Sequence, residues 1–272
     1  MDSKKKVAVI GGGNIGLAIA NGLISSKLFP SKNIYITKRK IETIKNLEDE
    51  GFKLTSNNTE AVKNSEVIVI AVQPKQLDEL LKEIAPVINE EKHVIISVVS
   101  GASIQVIKNL IGKDVPVVRA MPNTAIAIKE SMTCIASDAT KKDALKIAEK
   151  IFSSVGKTLI IEEELIVPAT ALCACGIAFF LRAIRAASQG GIEIGFHSEE
   201  ALQMAAQTAK GAACLLLERK SHPESEVDKV TTPRGITISG LNQMEHFGFS
   251  SAMIKGIVTS AEKASKIYSK EE

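Results

Sequence analysis

Along the first 163 residues, short unbroken apolar runs rich in β-branched side chains alternate with stretches whose apolar residues return every three or four positions. The runs at 7–10, 34–37, 67–72, 94–98, 115–119 and 158–161 have strand length and strand composition, and most of the stretches between them are amphipathic. Parallel strands need crossover helices, so this rhythm predicts an α/β fold with a Rossmann-type doubly wound sheet.

After residue 163 the strand pattern stops, and every later segment has helical length and punctuation. Gly195 can end one long helix. Ser198 reads as the cap of the next, with Glu199 and Glu200 well placed against its dipole, and Pro223 and Pro233 start two more. Gly248 followed by Ser250 separates the last pair. Two domains are expected, at 1–163 and 164–272, the second all-α. Ala201, Ala205, Ala206, Ala209, Gly211, Ala212 and Ala213 allow close helix approach, and helices without a sheet suit an intertwined homo-oligomer better than an isolated lobe.

Residues 165–181 carry no charge, which reaches the lower limit for a membrane span. Pro168, Thr170 and many small residues favour instead a helix buried at a domain or subunit interface, so no membrane partner is expected. The 34 basic and 31 acidic residues are spread along the chain, which gives a nucleic acid no basic groove to follow. Lys4, Lys5 and Lys6 precede too few apolar residues for a signal-peptide core, and a cytoplasmic location is expected. Cys134, Cys173, Cys175 and Cys214 contain no C-x-x-C pair and read as buried, reduced thiols; no metal site is expected.

The stretch VAVIGGGNIGLAIANGL sets Gly11, Gly13 and Gly16 in a G-x-G-x-x-G pattern between a strand and an amphipathic helix. Gly11 permits the tight turn, Gly13 lets the backbone approach a pyrophosphate, and Gly16 lets helix and strand pack closely. About twenty residues on, where an acidic residue usually meets the ribose of NAD, the chain has Thr37, Lys38, Arg39 and Lys40. Cations there suit a 2′-phosphate, so NADPH is expected to bind better than NADH. The segments AVQPKQ, SVVSGAS and VVRAMPNTA follow the third, fourth and fifth strands, at the edge where such sheets bind ligands. In the last of these, Met121 and Pro122 offer an apolar wall, and Asn123 and Thr124 polar groups.

Near the end, TTPRGITISGL reads as a second anion site. Thr232 is the expected N-cap, Pro233 the first helical residue, and Gly235, Ile236 and Thr237 the next, with amides free to donate to a carboxylate.

These segments, with ALCACGIAFF and EEALQMAAQTAKGAA, occur in the order and spacing of pyrroline-5-carboxylate reductases, and the chain resembles that family over nearly its whole length. The resemblance implies a Rossmann domain, then a helical dimerisation domain, with the active site between them and often a larger assembly of dimers. It implies NAD(P)H-dependent reduction of 1-pyrroline-5-carboxylate, an imino acid, to L-proline. By position, Gly11, Asn14, Ile15, Lys38, Arg39, Asn58, Ala71, Gln73, Pro74, Met121, Pro122 and Asn123 then line the cofactor, and Thr232, Gly235, Ile236 and Thr237 the substrate. The chain departs from the family pattern in three places: Arg234 stands where a glycine is usual, MPNTP becomes MPNTA at Ala125, and SGSGPAY becomes CACGIAF at Cys173 to Phe179. A cation in a first helical turn is mildly unfavourable, so Arg234 either points into solvent or meets an anion.

An iminium acceptor leaves little chemistry to the protein beyond positioning, with Thr237 or a water as the expected hydrogen-bond partner of the ring nitrogen and no essential His, Cys or Lys base. His93, His197, His222 and His246 all read as structural or exposed. A β-hydroxyacid-type dehydrogenase has the same outline but relies on a lysine in the long interdomain helix, and 165–195 contains none. A non-catalytic NADPH-binding regulator is the other alternative.

Overall fold

The computed structural model describes residues 5–138 and 142–266. By their internal contacts these fall into two compact units, one within Met1–Cys175 and Ser260–Glu272 and the other Gly176–Thr259.

The first unit is built on eight strands: β1 (Val7–Ile10), β2 (Ile34–Thr37), β3 (Lys53–Thr55), β4 (Val67–Ile70), β5 (Val94–Ser97), β6 (Val117–Met121), β7 (Ser131–Ser137) and β8 (Gly156–Ile160). They form one sheet in the order β3-β2-β1-β4-β5-β6-β7-β8. Every neighbouring pair is parallel except β6 and β7, where Met121 faces Cys134 in antiparallel register. The helices between are α1 (Asn14–Ser25), α2 (Asn58–Lys63), α3 (Leu77–Ile84), α4 (Ile104–Ile111) and α5 (Lys142–Ser153).

Alternation along each central strand feeds two cores. Val7, Val9, Val67 and Val69 pack with Ile19, Leu23 and Phe152 on one face, while Ala8, Ile10, Ile68 and Ile70 pack with Leu77, Leu81 and Ile107 on the other. A strand buried on both faces has no polar positions to alternate, which is why these runs are continuously apolar. Each fully buried Val or Ile contributes roughly 1.5–3 kcal/mol of transfer free energy, and that burial holds helices on both faces.

Two strands lie outside the sequence pattern. β3 has three residues at the sheet edge, and β7 (SMTCIAS) buries Ser131 and Thr133, whose hydroxyls hydrogen-bond each other at 3.1 Å. That pairing replaces the β-branched signature with a buried polar one. The thiols are free, but only Cys134 is buried; Cys173, Cys175 and Cys214 are partly exposed, since the helical segments carrying the last three leave much of their surface open in one chain.

A continuous helical run begins at Glu163 and passes through α6 (Ile166–Ala169) and a π-helical segment, Thr170–Cys175. Ile166 and Ala169 pack on Met121, Cys134 and Ala136, so the sheet unit extends beyond its last strand. The run continues as α7 (Gly176–Glu193). Among the described residues it is the helix long and apolar enough to cross a membrane by length and composition, and only 22% of its most apolar window is buried within the chain.

The second unit comprises α7, α8 (Ser198–Arg219), α9 (Pro223–Lys229), α10 (Ile236–His246) and most of α11 (Phe249–Ser265). Gly195 and Gly248 take positive φ where the chain turns between helices. Ser198 is not a cap: the N-cap is His197, whose N–H donates to Glu200 at 3.2 Å, and Ser198 starts the first turn. α7 and α8 approach closely at Gly191, where a Cβ would lie 3.0 Å from that of Ala201. Among the described residues of this unit only Gly176, Ser188 and Ala201 are buried, whereas Phe180 is 62% and Leu217 77% exposed. So small a fully buried core leaves these helices little within one chain to set against their conformational entropy.

His93 at the foot of β5 is buried, and its Nδ1 accepts the Asn89 N–H at 3.0 Å. Burial, and after it the charge of Lys92, lower its pKa below the usual 6.5. The unfolded chain therefore binds this proton at a pH where the folded chain does not, and stability present above 6.5 declines as pH falls towards the folded value. Urea midpoints are expected to be lower at pH 5 than at pH 7, with a smaller difference in His93→Gln; an equal drop in both proteins removes His93 from the effect.

Candidate functional site

A cavity of about 710 Å3 opens where β1, β2 and β4 end. Its wall is formed by Gly11, Gly12 and Gly13, by Thr37 to Lys40 and Thr43, by Ser56 and Asn58, by Ala71, Val72 and Gln73, and by Gln76, Glu79, Leu80 and Glu83. A shallower cavity of about 450 Å3, lined by Ser26, Leu28, Glu149, Lys150, Ser153 and Ser154, lies away from the strand C-termini. Its lining comes from α5 and the residues just after α1 and α5 rather than from the strand ends, and the first cavity is the candidate site.

The glycine turn shapes it. Gly11 has φ +109° and a Cβ there would sit 2.6 Å from the Ala71 carbonyl oxygen, while one on Gly16 would collide with the Gly11 carbonyl. The Thr37 carbonyl accepts from both Gly11 N (3.2 Å) and Gly12 N (2.7 Å), pinning the turn to the end of β2. Gly13 differs from its neighbours: a Cβ there meets no protein atom, because that side opens into the cavity. Gly13 is also the N-cap of α1, with no capping side chain and no acidic residue in the first turn. The first amides of α1 are therefore left for an anion brought against the backbone, an arrangement that fits a pyrophosphate. Lys38, Arg39 and Lys40 line the same space and add positive charge beyond it. No group of three or more His, Cys, Asp or Glu that could hold a metal occurs among the described residues.

Of the positions expected to meet a cofactor, Gly11, Gly13, Lys38, Arg39, Asn58, Ala71 and Gln73 share this cavity. Asn14, Ile15 and Gly16 begin α1 beyond its rim, and Pro74 opens a 3-10 turn in which Gln73 N–H donates to Gln76 at 3.2 Å. Met121, Pro122 and Asn123 are not in its wall but at the β6–β7 hairpin, and all three are buried. Met121, expected in a loop, is the last residue of β6, because pairing with Cys134 continues the strand two residues further. The Ser100 hydroxyl reaches Met121 Sδ at 4.0 Å, which brings the loop after β5 to the same corner.

Glu79, Leu80 and Glu83 of α3 are not anticipated by the sequence, whereas Gln76, at the end of AVQPKQ, is the residue before that helix. The i, i+3, i+4, i+7 spacing of the four runs along one side of the helix and its cap, and that stripe is the signal the sequence offers. Glu83 accepts from Asn58 Nδ2 at 3.0 Å, fixing the amide within the cavity wall.

At the second expected site the turn differs from the reading. Thr232 is not the N-cap, nor Pro233 the first helical residue: α10 starts at Ile236 with Gly235 as N-cap. Residues 232–235 form a turn closed by Gly235 N donating to the Thr232 carbonyl at 2.8 Å, so the Gly235 amide is not free. Proline second and a positive φ third is the signature of a type II turn, and the third residue is Arg234 at +58°. A side chain in that region costs on the order of 1 kcal/mol. A Cβ on Gly235 would lie 2.5 Å from Thr232 Oγ1, so glycine is required by that close approach. The first free amides of α10 are those of Ile236, Thr237 and Ile238, with no side chain capping them. Arg234 and Thr237 are both exposed in the single chain.

Residues 163–267 match the family described as "Pyrroline-5-carboxylate reductase dimerisation", and residues 6–101 match "NADP oxidoreductase coenzyme F420-dependent". Pyrroline-5-carboxylate reductase 2 of Dictyostelium discoideum is 49% identical over 98% of this chain and 94% of its own length. The chain belongs to the pyrroline-5-carboxylate reductase family. Pyrroline-5-carboxylate reductase 1 of the same organism is 58% identical over 98% of the chain, which spans half the length of that relative. A solved pyrroline-5-carboxylate reductase from Coxiella burnetii superposes with TM-score 0.89 at 28% identity, covering 96% of this chain and 98% of its own. A pyrroline carboxylate reductase from Plasmodium falciparum, solved with NADP bound, shares the fold at TM-score 0.88 and 24% identity, covering 97% and 98%.

Behind the β6–β7 hairpin of this family member lies a buried cation. Arg119 on β6 is 4% exposed, and its guanidinium meets Glu163 Oε1 at 3.3 Å. Burial pulls the Arg119 pKa down and Glu163 restores part of it. The same carboxylate oxygen accepts the Ile104 N–H at 2.7 Å, at the positive end of α4. Glu163 thus satisfies two elements at once, and Glu163→Ala leaves a buried charge and a helix amide without their acceptor. Glu163 is partly exposed, which admits some water, so the expected loss is about 2 kcal/mol rather than the full cost of breaking a buried pair. Urea denaturation of Glu163→Ala and Glu163→Gln checks this; an alanine variant as stable as wild type sinks it.

Proposed function

We propose that this chain reduces 1-pyrroline-5-carboxylate to L-proline with NADPH as the preferred donor and NADH as a weaker one. The observation that carries the reading is the full-length likeness to a pyrroline-5-carboxylate reductase, joined to a cavity that combines an uncapped α1 with three cations. The match of 6–101 to a family of NADP oxidoreductases supports the same cofactor.

When bound, the dinucleotide supplies a hydride to C5 of the cyclic iminium as the C=N π electrons move to nitrogen. The protein's residues bind and orient. In the proposed arrangement the α1 amides and Gly13 backbone hold the pyrophosphate, and Lys38 and Arg39 the 2′-phosphate. Asn14, Ile15, Asn58, Ala71, Gln73, Pro74, Met121, Pro122 and Asn123 complete the cofactor contacts. Thr232 and Gly235 shape the turn before α10, whose amides at Ile236 and Thr237 hold the substrate carboxylate. The Thr237 hydroxyl hydrogen-bonds the ring nitrogen. No side chain is asked to remove a proton, because the iminium form already carries it.

Domain boundaries at 1–163 and 164–272 fit this division of labour, the first for the dinucleotide and the second for substrate and dimerisation. The apolar surface of α7 and the small residues of α8 are then covered by a second copy, with dimers joining into a larger assembly in the cytoplasm.

The direct test is NADPH consumption at 340 nm with 1-pyrroline-5-carboxylate; binding of NADPH without turnover rejects the reading in favour of a regulator. Arg39→Ala is expected to raise KM for NADPH by about tenfold or more and to leave that for NADH unchanged, as the loss of a charge-assisted contact worth ~1.5–3 kcal/mol. Thr237→Ala is expected to lower kcat/KM by one to two decades, roughly 1.4–2.7 kcal/mol of transition-state stabilisation. Sedimentation velocity is expected to give no species smaller than a dimer; a folded, active monomer contradicts the assembly.

A further inference from the structure

Two of the four thiols meet. Cys134 Sγ, on β7, lies 3.9 Å from Cys173 Sγ, on the π-helical segment Thr170–Cys175. Cys134 is 3% exposed and held between β6 and β8, whereas Cys173 is partly exposed. A π-helical turn is a wide, locally yielding piece of helix. Sulfur atoms in contact at this distance need to close by ~1.9 Å to reach a bond length of about 2.05 Å. The strand is fixed by ladders on both sides, so the closing movement falls on the Cys173 segment.

That segment has a second attachment. The Cys173 carbonyl accepts from Asn123 Nδ2 at 3.3 Å, while Asn123 Oδ1 accepts from Ala125 N at 3.0 Å and its N–H donates to Ser131 Oγ at 3.1 Å. Asn123 is therefore oriented from one side by the hairpin and from the other by the backbone of Cys173.

We propose that Cys134 and Cys173 are an oxidation site for a peroxide, forming an intrachain disulfide that displaces the Cys173 carbonyl and misplaces Asn123. The Cys173 thiolate attacks one peroxide oxygen; an S–O bond forms, the O–O bond breaks, and the departing hydroxide takes the thiol proton as water. Cys134 then attacks the sulfenic sulfur; the S–S bond forms, the S–O bond breaks, and hydroxide leaves with the Cys134 proton as a second water. Two thiols are oxidised to one disulfide and the peroxide is reduced to two waters. The order of attack follows from the surroundings. Hydrogen bonding from Cys134 favours the Cys173 thiolate against the opposing effect of burial, and the same contact together with burial keeps Cys134 protonated. In a reducing compartment a pair of this kind is transient, closing under oxidant and reopening with thiols.

The experiment treats the full chain with hydrogen peroxide, then maps peptides without reduction and assays the rate with NADPH and 1-pyrroline-5-carboxylate. A peptide joining Cys134 to Cys173 is expected, lost on adding dithiothreitol and never formed in C173S or C134A. The rate of wild type is expected to fall by about tenfold or more on oxidation and to return on reduction, as for a small misplacement of a positioning group, while C173S keeps its rate under peroxide. No linked peptide, or higher oxides at Cys173 in its place, overturns the site. A linked peptide with an unaltered rate overturns the coupling to Asn123. The map needs no turnover, so a chain that lacks reductase activity before oxidation refutes only the proposed reaction and leaves the pair to be judged by its peptide.

Discussion

The close seating of α1 on the sheet governs the rest of the cofactor end. Gly16 rests on the Gly11 carbonyl, Gly11 passes tight against Ala71, and one carbonyl, that of Thr37, receives two amides of the turn. These contacts join the ends of β1, β2 and β4 within a few residues. They leave no room for a side chain on the protein side of the turn and leave Gly13 bare on the other. Backbone is thereby exposed to a ligand where the uncapped start of α1 has amides to offer. The cations after β2 and the face of α3 gain their meaning from that cradle, since both border the same 710 Å3.

The two units obey different physics. The sheet unit buries its strands on both faces and pairs several of its buried polar groups locally, as with Ser131 and Thr133, or through one shared carboxylate, as with Arg119, Glu163 and Ile104. The helical unit keeps large side chains such as Ile194 and Phe247 in solvent, at 77% and 83% exposure. A dimerisation family matches this region, and the exposed surface is what such a family needs. The first unit carries its cores within one chain, whereas the second exposes the kind of apolar surface that association covers.

The parts legible in the sequence are those where a single rule dominates. Continuous β-branched runs gave six of the strands, and the glycine pattern marked the turn because sterics allow no substitute. What escaped depends on tertiary partners. β7 is a strand whose buried hydroxyls satisfy one another, which no hydropathy pattern displays. The polar stripe of α3 reads as an ordinary solvated face until the sheet places it over the cavity. The turn at 232–235 is ambiguous in the sequence because Pro233 suits both a first helical position and the second position of a type II turn. Arg234 in place of glycine hid the positive φ that decides between them.

The order of the halves along the chain has a consequence for how the protein is made. A ribosome releases the eight strands and the helices between them first, and these can complete their two cores while translation continues, before the end of α11 joins the same unit. The helices emerge afterwards, and among the described residues Phe180, Leu217 and Phe247 stay largely exposed. Where two such newborn chains associate, as the match to a dimerisation family implies, those side chains can be shielded in the encounter itself.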